Sequence, residues 1–172
     1  MTETELKDYI AAIRPADRDA MAAARQRQAQ LAKPPGSLGA LEDMSVRLAG
    51  VTGRVCPPMN RCRVAVFAAD NGVVDEGVSC APRSVTLQQA INMTRRKTGM
   101  SAMAAAFGDD VAVVDVGMDC GTTPAGILNR RVRRSTGDIA IEDAMTRPQA
   151  LAAIAAGMEQ AARARADSIT AL

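Results

Sequence analysis

Residues 63–88, RVAVFAADNGVVDEGVSCAPRSVTLQ, decide the fold class of this chain. Val64 to Ala69 form an unbroken apolar run, the pattern of a strand buried on both faces, as in a parallel sheet. The run breaks at Asp70-Asn71-Gly72, whose side chains and backbone freedom favour a turn. A polar loop follows, and a helix is expected from about Ser84. Strand, loop and helix in that order describe an α/β unit, in which loops leaving the carboxyl ends of strands carry ligand chemistry.

Outward from this stretch the pattern repeats. Residues 85–107 read as helix in two pieces, interrupted at Lys97-Thr98-Gly99, and Val111 to Val116 read as a second buried strand. Thr146-Arg147-Pro148-Gln149 is a capping box with proline in the first turn, opening a helix to about Arg165. Residues 167–172 read as the start of a third strand. Strands separated by helices imply right-handed βαβ units and a parallel sheet, a Rossmann-like three-layer α/β fold. Ahead of it, residues 1–58 form an amino-terminal helical segment, with residues 59–172 as the α/β part. Thr2 and Glu5 cap a helix over 3–13, and residues 17–31 form a second helix. Ser37 is placed to cap a third, amphipathic one with Leu41, Met44, Leu48 and Val51 on one face. A last strand with no ligand loop after it suggests an incomplete domain, the front half of a larger unit.

Composition narrows the chemistry. At 172 residues the chain can bury a substantial core, which must be aliphatic because Tyr9, Phe67 and Phe107 are its only aromatics. With no histidine, Ser-His-Asp, Cys-His and His-metal chemistry are excluded within the chain. The four cysteines lack CxxC spacing and follow no signal peptide, so they read as reduced cytoplasmic thiols rather than a disulfide or metal site. A net charge of +2, without aromatic stacking platforms, argues against nucleic acid. No apolar run is long enough to span a membrane. No P-loop or GxGxxG sequence is present, and no cofactor is expected.

Several candidate residues follow. Asp70, Ser79 and Gln88 could give polar groups to an apolar cavity at the strand end, though taken alone turn formation and a serine cap explain them more simply. Lys33 sits on the stiff loop KPPGSLG (33–39), where it could meet an anion. Asp115, at a strand end, is a better site candidate than Asp109 and Asp110, which suit a surface turn. Arg130, Arg131, Arg133 and Arg134 could meet phosphate, but a solvated edge or a subunit contact accounts for them more simply.

Taken in series, four blocks resemble the nicotinate-nucleotide–dimethylbenzimidazole phosphoribosyltransferase (CobT) family of cobalamin biosynthesis. They are KPPGSLGALEDMSVRLAG, FAADNGVVDEGVSCAPRSVTLQ, VAVVDVGMD and RSTGDIAIEDAMTRPQALAAIAAGME. The resemblance implies a Rossmann-like, usually homodimeric enzyme. Such enzymes transfer phosphoribose from nicotinate mononucleotide to 5,6-dimethylbenzimidazole, giving α-ribazole 5′-phosphate and nicotinate. It implies that Ser79, Pro82 and Gln88 help form the benzimidazole pocket, that Asp70 and Gly72 shape its floor, and that Asp115 lies near the neighbouring strand end. The family's histidine after the aspartate is replaced by Asn71, and its glycine-rich stretch reads Arg95-Arg96-Lys97-Thr98-Gly99. Family members run to about twice this length. Their phosphate loop and general-base glutamate match nothing in these 172 residues, so the resemblance nominates no catalytic residue here. The expectation is a chain inactive alone, working as a homodimer or with a second half. The alternative is a noncatalytic binding or assembly subunit for a full-length paralogue.

Overall fold

A computed structural model describes residues 1–172. The chain divides into two compact units, Lys7–Met59 and a larger one of Met1–Leu6 with Asn60–Leu172. Helix α1 (Glu3–Ala11) runs from one into the other. Its capping box is formed: Glu5 N–H donates to Thr2 Oγ1 at 3.2 Å and Thr2 N–H donates to Glu5 Oε2 at 2.7 Å.

The smaller unit is built on α2 (Arg18–Gln30) packed against α3 (Ala40–Thr52). Asp17 caps α2 by accepting from Ala20 N–H at 2.9 Å. The contact is made by small residues: Ala24, Val46 and Ala49 are buried, with Met21 packed against them. A Cβ on Gly50 would sit 2.7 Å from Met21 Cγ, so glycine is what lets the two helices approach. Two expectations are corrected here. The stripe of Leu41, Met44 and Val51 is 61, 61 and 78% exposed, because close approach selects the small-residue face of α3 instead. The helix start is Gly39 with no side-chain cap, rather than Ser37, since Glu42 reaches back to the Leu38 N–H at 3.2 Å.

The larger unit is an α/β fold on a parallel sheet of order β1-β2-β3. β1 is Arg63–Ala69, β2 is Asp110–Gly117 and β3 is the two-residue Leu128–Asn129. Helices α4 (Ser84–Thr94) and α5 (Gly99–Phe107) cross over between β1 and β2. α4 covers the sheet with Ala90, Leu87 and Ile91 against Val113 and Met118. Val113 and Val114 are almost wholly buried. Each contributes roughly 1.5–3 kcal/mol by leaving water. α6 (Arg147–Ala166) starts with the expected capping box at Thr146 and Gln149.

The third strand is not where the sequence pattern put it. Residues 167–172 make a single bridge, Cys62 with Ala171, on the outer side of β1. The strand that completes the sheet is Leu128–Asn129, paired with Val114 and Asp115. Two residues between Gly126, at φ +85°, and a run of arginines carry no periodicity that could announce a strand. At the amino end of the sheet, Arg63 pairs with both Asp110 (3.1 Å) and Asp167 (2.8 Å). No helix is long and apolar enough to cross a membrane.

Candidate functional site

The cavity of interest opens at the carboxyl end of β1. The register there slips: Ala68 opposes Asp115 but Ala69 opposes Gly117, so β2 carries one extra residue. Asp70 N–H then donates to Gly117 O at 3.1 Å, and the chain leaves the sheet into a 3₁₀ turn, Gly72–Glu76. Gly77, at φ +72°, ends that turn. The loop back to α4 closes a cavity of about 270 Å³. Its walls are mostly apolar (Val73, Val74, Val78, Ala81, Pro82 and Val85), with Asp70, Asn71, Ser79, Arg83 and Thr86 as polar lining.

Gly72 holds this loop in place. It is buried, and a Cβ there would lie 2.6–2.7 Å from the backbone of Gly137 and Asp138. Gly72 N–H donates to Thr136 Oγ1 at 3.2 Å, and Thr136 N–H donates to Asp70 O at 3.1 Å. Segment 135–138 is thus the backing of the cavity loop. Ser135 accepts a left-handed φ of +55° there, with its N–H donating to Gly117 O at 3.0 Å.

Charge in the site is tightly paired. Asp70 is 7% exposed, and its Oδ2 accepts from Asp119 N–H at 2.7 Å. Arg83, the one cation of the lining, pairs with Asp75 at 2.7 Å and faces Asp119 at 3.7 Å. Asp119 in turn takes Arg134 at 2.9 Å. Asp115 is fully buried behind the turn and does not line the cavity. Burial alone would raise its pKa, but hydrogen bonds from Arg131, Thr123 and the Met118 N–H outweigh this and hold the carboxyl below its ordinary value.

Of the residues singled out from sequence, Asp70, Ser79 and Pro82 come together on the cavity wall. Gly72 packs behind that wall, and Gln88 is exposed a turn further along α4. Lys33 lies in the smaller unit, where it pairs with Glu42 at 2.6 Å and lowers that carboxyl's pKa. It borders a cavity of about 250 Å³ with Arg25, Gln28 and Pro35. In the arginine run, Arg131 is paired with Asp115, Arg134 with Asp119, and Arg130 with Glu159, whose pKa falls to about 2 under that hydrogen bond. Those three are therefore no open phosphate patch. Sequence reasoning passed over Arg83, Asp119, Thr123 and Thr136. A signal existed in the spacing of acids and arginines across 115–134, but pairing between distant residues cannot be read from spacing alone. No group of three or more Cys, Asp or Glu side chains could hold a metal ion.

A family model described as phosphoribosyltransferase matches residues 13–172. The chain belongs to this phosphoribosyltransferase family. Relatives named nicotinate-nucleotide–dimethylbenzimidazole phosphoribosyltransferase include one from Geobacter sp. (strain M21), 42% identical over 96% of this chain and 48% of its own length. Another, from Salmonella arizonae, is 49% identical over 78% of this chain and 38% of its own length. The crystal structure of nicotinate-nucleotide–dimethylbenzimidazole phosphoribosyltransferase from Thermus thermophilus superposes with a TM-score of 0.79 at 43% identity. The match covers 88% of this chain and 46% of that one. The chain thus spans about half the length of the phosphoribosyltransferases it matches.

Proposed function

We propose that this chain forms the base-binding wall of a nicotinate-nucleotide–dimethylbenzimidazole phosphoribosyltransferase. The cavity lined by Asp70, Ser79 and Pro82 takes 5,6-dimethylbenzimidazole or a related base. The reaction moves phosphoribose from nicotinate mononucleotide to a ring nitrogen of that base, releasing nicotinate and giving α-ribazole 5′-phosphate. The observation that carries this is the cavity itself: about 270 Å³ of largely valine, alanine and proline wall at the carboxyl end of a parallel strand. That volume lies near the small end of ligand pockets, roughly 300–1,000 Å³, and suits a compact two-ring base better than a whole mononucleotide.

The chemistry asks little of the wall beyond alignment. The bond from C1′ to the nicotinate nitrogen breaks as the bond from C1′ to the base nitrogen forms, nicotinate leaves from an already cationic ring, and the proton on the base's other ring nitrogen passes to an acceptor outside this wall. Apolar faces hold the base in line with C1′, which is where a positioned bimolecular reaction gains most of its rate. Asp70 and Ser79 supply the polar contacts that set the base's orientation, with Gly72 fixing the floor behind them. Lys33 and Asp115 remain proposed contributors to the enzyme's site; Gln88 contributes only if the α4 turn shifts toward the base. The working form is a cytoplasmic homodimer or an assembly with polypeptide equivalent to the rest of the relatives.

Titration with 5,6-dimethylbenzimidazole, followed by amide resonances, tests the site. Saturable shifts confined to residues 69–86 are expected, and their absence at millimolar base would refute it. Nicotinate release from nicotinate mononucleotide is then measured with the chain alone and after adding a polypeptide matching the remainder of the relatives: release only in combination marks one part of the enzyme, and none in either case marks a binding subunit.

A further inference from the structure

We infer that Asp115 shapes the cavity without touching what binds there: it is a positioning residue for Asp70 and Arg83. This rests on the cavity being the base site. The two carboxylate oxygens of Asp115 divide the work. Oδ1 accepts from Gly117 N–H (3.1 Å) and Met118 N–H (2.9 Å), fixing the turn that leaves β2. Oδ2 accepts from Thr123 Oγ1 (2.6 Å) and from Arg131 Nε (3.0 Å) and Nη2 (2.7 Å), tying segments 119–123 and 130–132 to the same point.

The next N–H of that turn, Asp119, holds Asp70 Oδ2 at 2.7 Å on the cavity wall. The carboxylate of Asp119, anchored by Arg134, faces Arg83 at 3.7 Å, and Arg83 reaches Asp75 on the 3₁₀ turn. The buried acid and the cation of the lining therefore both meet Asp119, whose place is set by Asp115. None of Asp115, Gly117, Met118, Asp119, Thr123 or Arg131 lines the cavity. Changing Asp115 should alter the lining geometry while every lining residue stays the same.

Asp115→Asn makes the case testable, because the new amide group presents donors to Arg131 where an acceptor stood. The parent, Asp115→Asn and a control, Val113→Ala, are each titrated with 5,6-dimethylbenzimidazole under the same conditions. Val113 is buried in the same strand and makes no side-chain hydrogen bond, so its truncation lowers the melting temperature while leaving every hydrogen-bonding group of the relay in place. Asp115→Asn should weaken base binding about tenfold, the loss of one charge-assisted hydrogen bond's worth of order. It should also displace the Asp119 amide and Arg83 Nε resonances in the free protein, while Val113→Ala binds as the parent does. Binding by Asp115→Asn within about twofold of the parent overturns the inference, as does an equal loss in Val113→Ala at matched melting temperature. If the parent itself shows no saturable binding, the base-site reading fails. The positioning role is then decided on the free resonances: displaced sustains it, unmoved overturns it. Should Asp115→Asn fail to fold, Thr123→Val removes the 2.6 Å bond to Asp115 and the 3.4 Å bond that Arg131 Nη2 donates to the same hydroxyl, and should give a smaller change in the same direction.

Discussion

Gly72→Ala is expected to be one of the most damaging single-methyl additions to this chain. The new Cβ would lie 2.6 Å from Asp138 N and Gly137 C and 2.7 Å from Gly137 O, all backbone atoms that cannot rotate away. Restoring ordinary contact at 3.4 Å or more requires the cavity loop and segment 135–138 to part by roughly 1 Å. That separation stretches Gly72 N–H to Thr136 Oγ1 (3.2 Å) and Thr136 N–H to Asp70 O (3.1 Å) past useful length. Overpacking costs about 1–3 kcal/mol, and each lost hydrogen bond adds about 1 kcal/mol. Against this, alanine restricts the unfolded chain and returns about 0.4–1 kcal/mol. The net expectation is a loss of about 2–5 kcal/mol. Gly157→Ala is the matched control: it lies inside α6, where an added Cβ meets nothing within 4 Å. It should gain about 0.5–1 kcal/mol from helix propensity. Urea unfolding followed by far-ultraviolet circular dichroism reads both. A Gly72→Ala variant within about 0.5 kcal/mol of the parent would refute the claim that this close approach fixes the loop.

Three further outcomes are expected. The pKa of Asp115 is depressed in the folded state, so its contribution is present above the unfolded value of about 3.9 and is lost as pH falls through the lower folded value. The stability gap between the parent and Asp115→Asn should therefore shrink as pH falls from about 5 toward about 2, and a constant gap in pH-dependent melts would contradict this. Gln160 is 4% exposed and its Nε2 has no hydrogen-bond partner. Gln160→Leu should raise stability by about 1 kcal/mol, or roughly 2–4 °C in melting temperature; a drop would mean the amide is satisfied in solution. Gly77→Ala meets no steric contact but must hold φ at +72°, so it should cost about 1 kcal/mol in the same urea measurement and leave the cavity backing intact.

The sequence was most legible where local signals were redundant. Val64 to Ala69 and Val111 to Val116 read as strands because an apolar run between breakers has few other meanings, and Thr146 announced α6 through its own cap; the expected burial on both faces is corrected for β1, which is only half-buried with Phe67 44% exposed. β3 was illegible because two residues carry no period, and its place is set by pairing with β2. The α3 face was misread because periodicity ranks residues by hydrophobicity, whereas the contact with α2 selected Gly50 and Ala49 for their size. At the cavity, Asp70 and Ser79 could be named from one contiguous loop, Pro82 entered only through the family resemblance, and Gln88, named with them, does not line the wall. Arg83 and Asp119 could not, since their importance lies in meeting each other across 36 residues of chain.

The pairing of Arg63 with Asp110 and Asp167 has a consequence for how such a protein can change over time. These ion pairs stitch the start of β1 to the start of β2 and to the turn after α6, at the end of the sheet remote from the cavity. Register is thus clamped at one end of the strands while the cavity opens at the other. Residues such as Val74, Val78 or Asn71 can be exchanged to reshape the cavity without disturbing the clamp. A lineage could drift in what it binds and still inherit the same sheet.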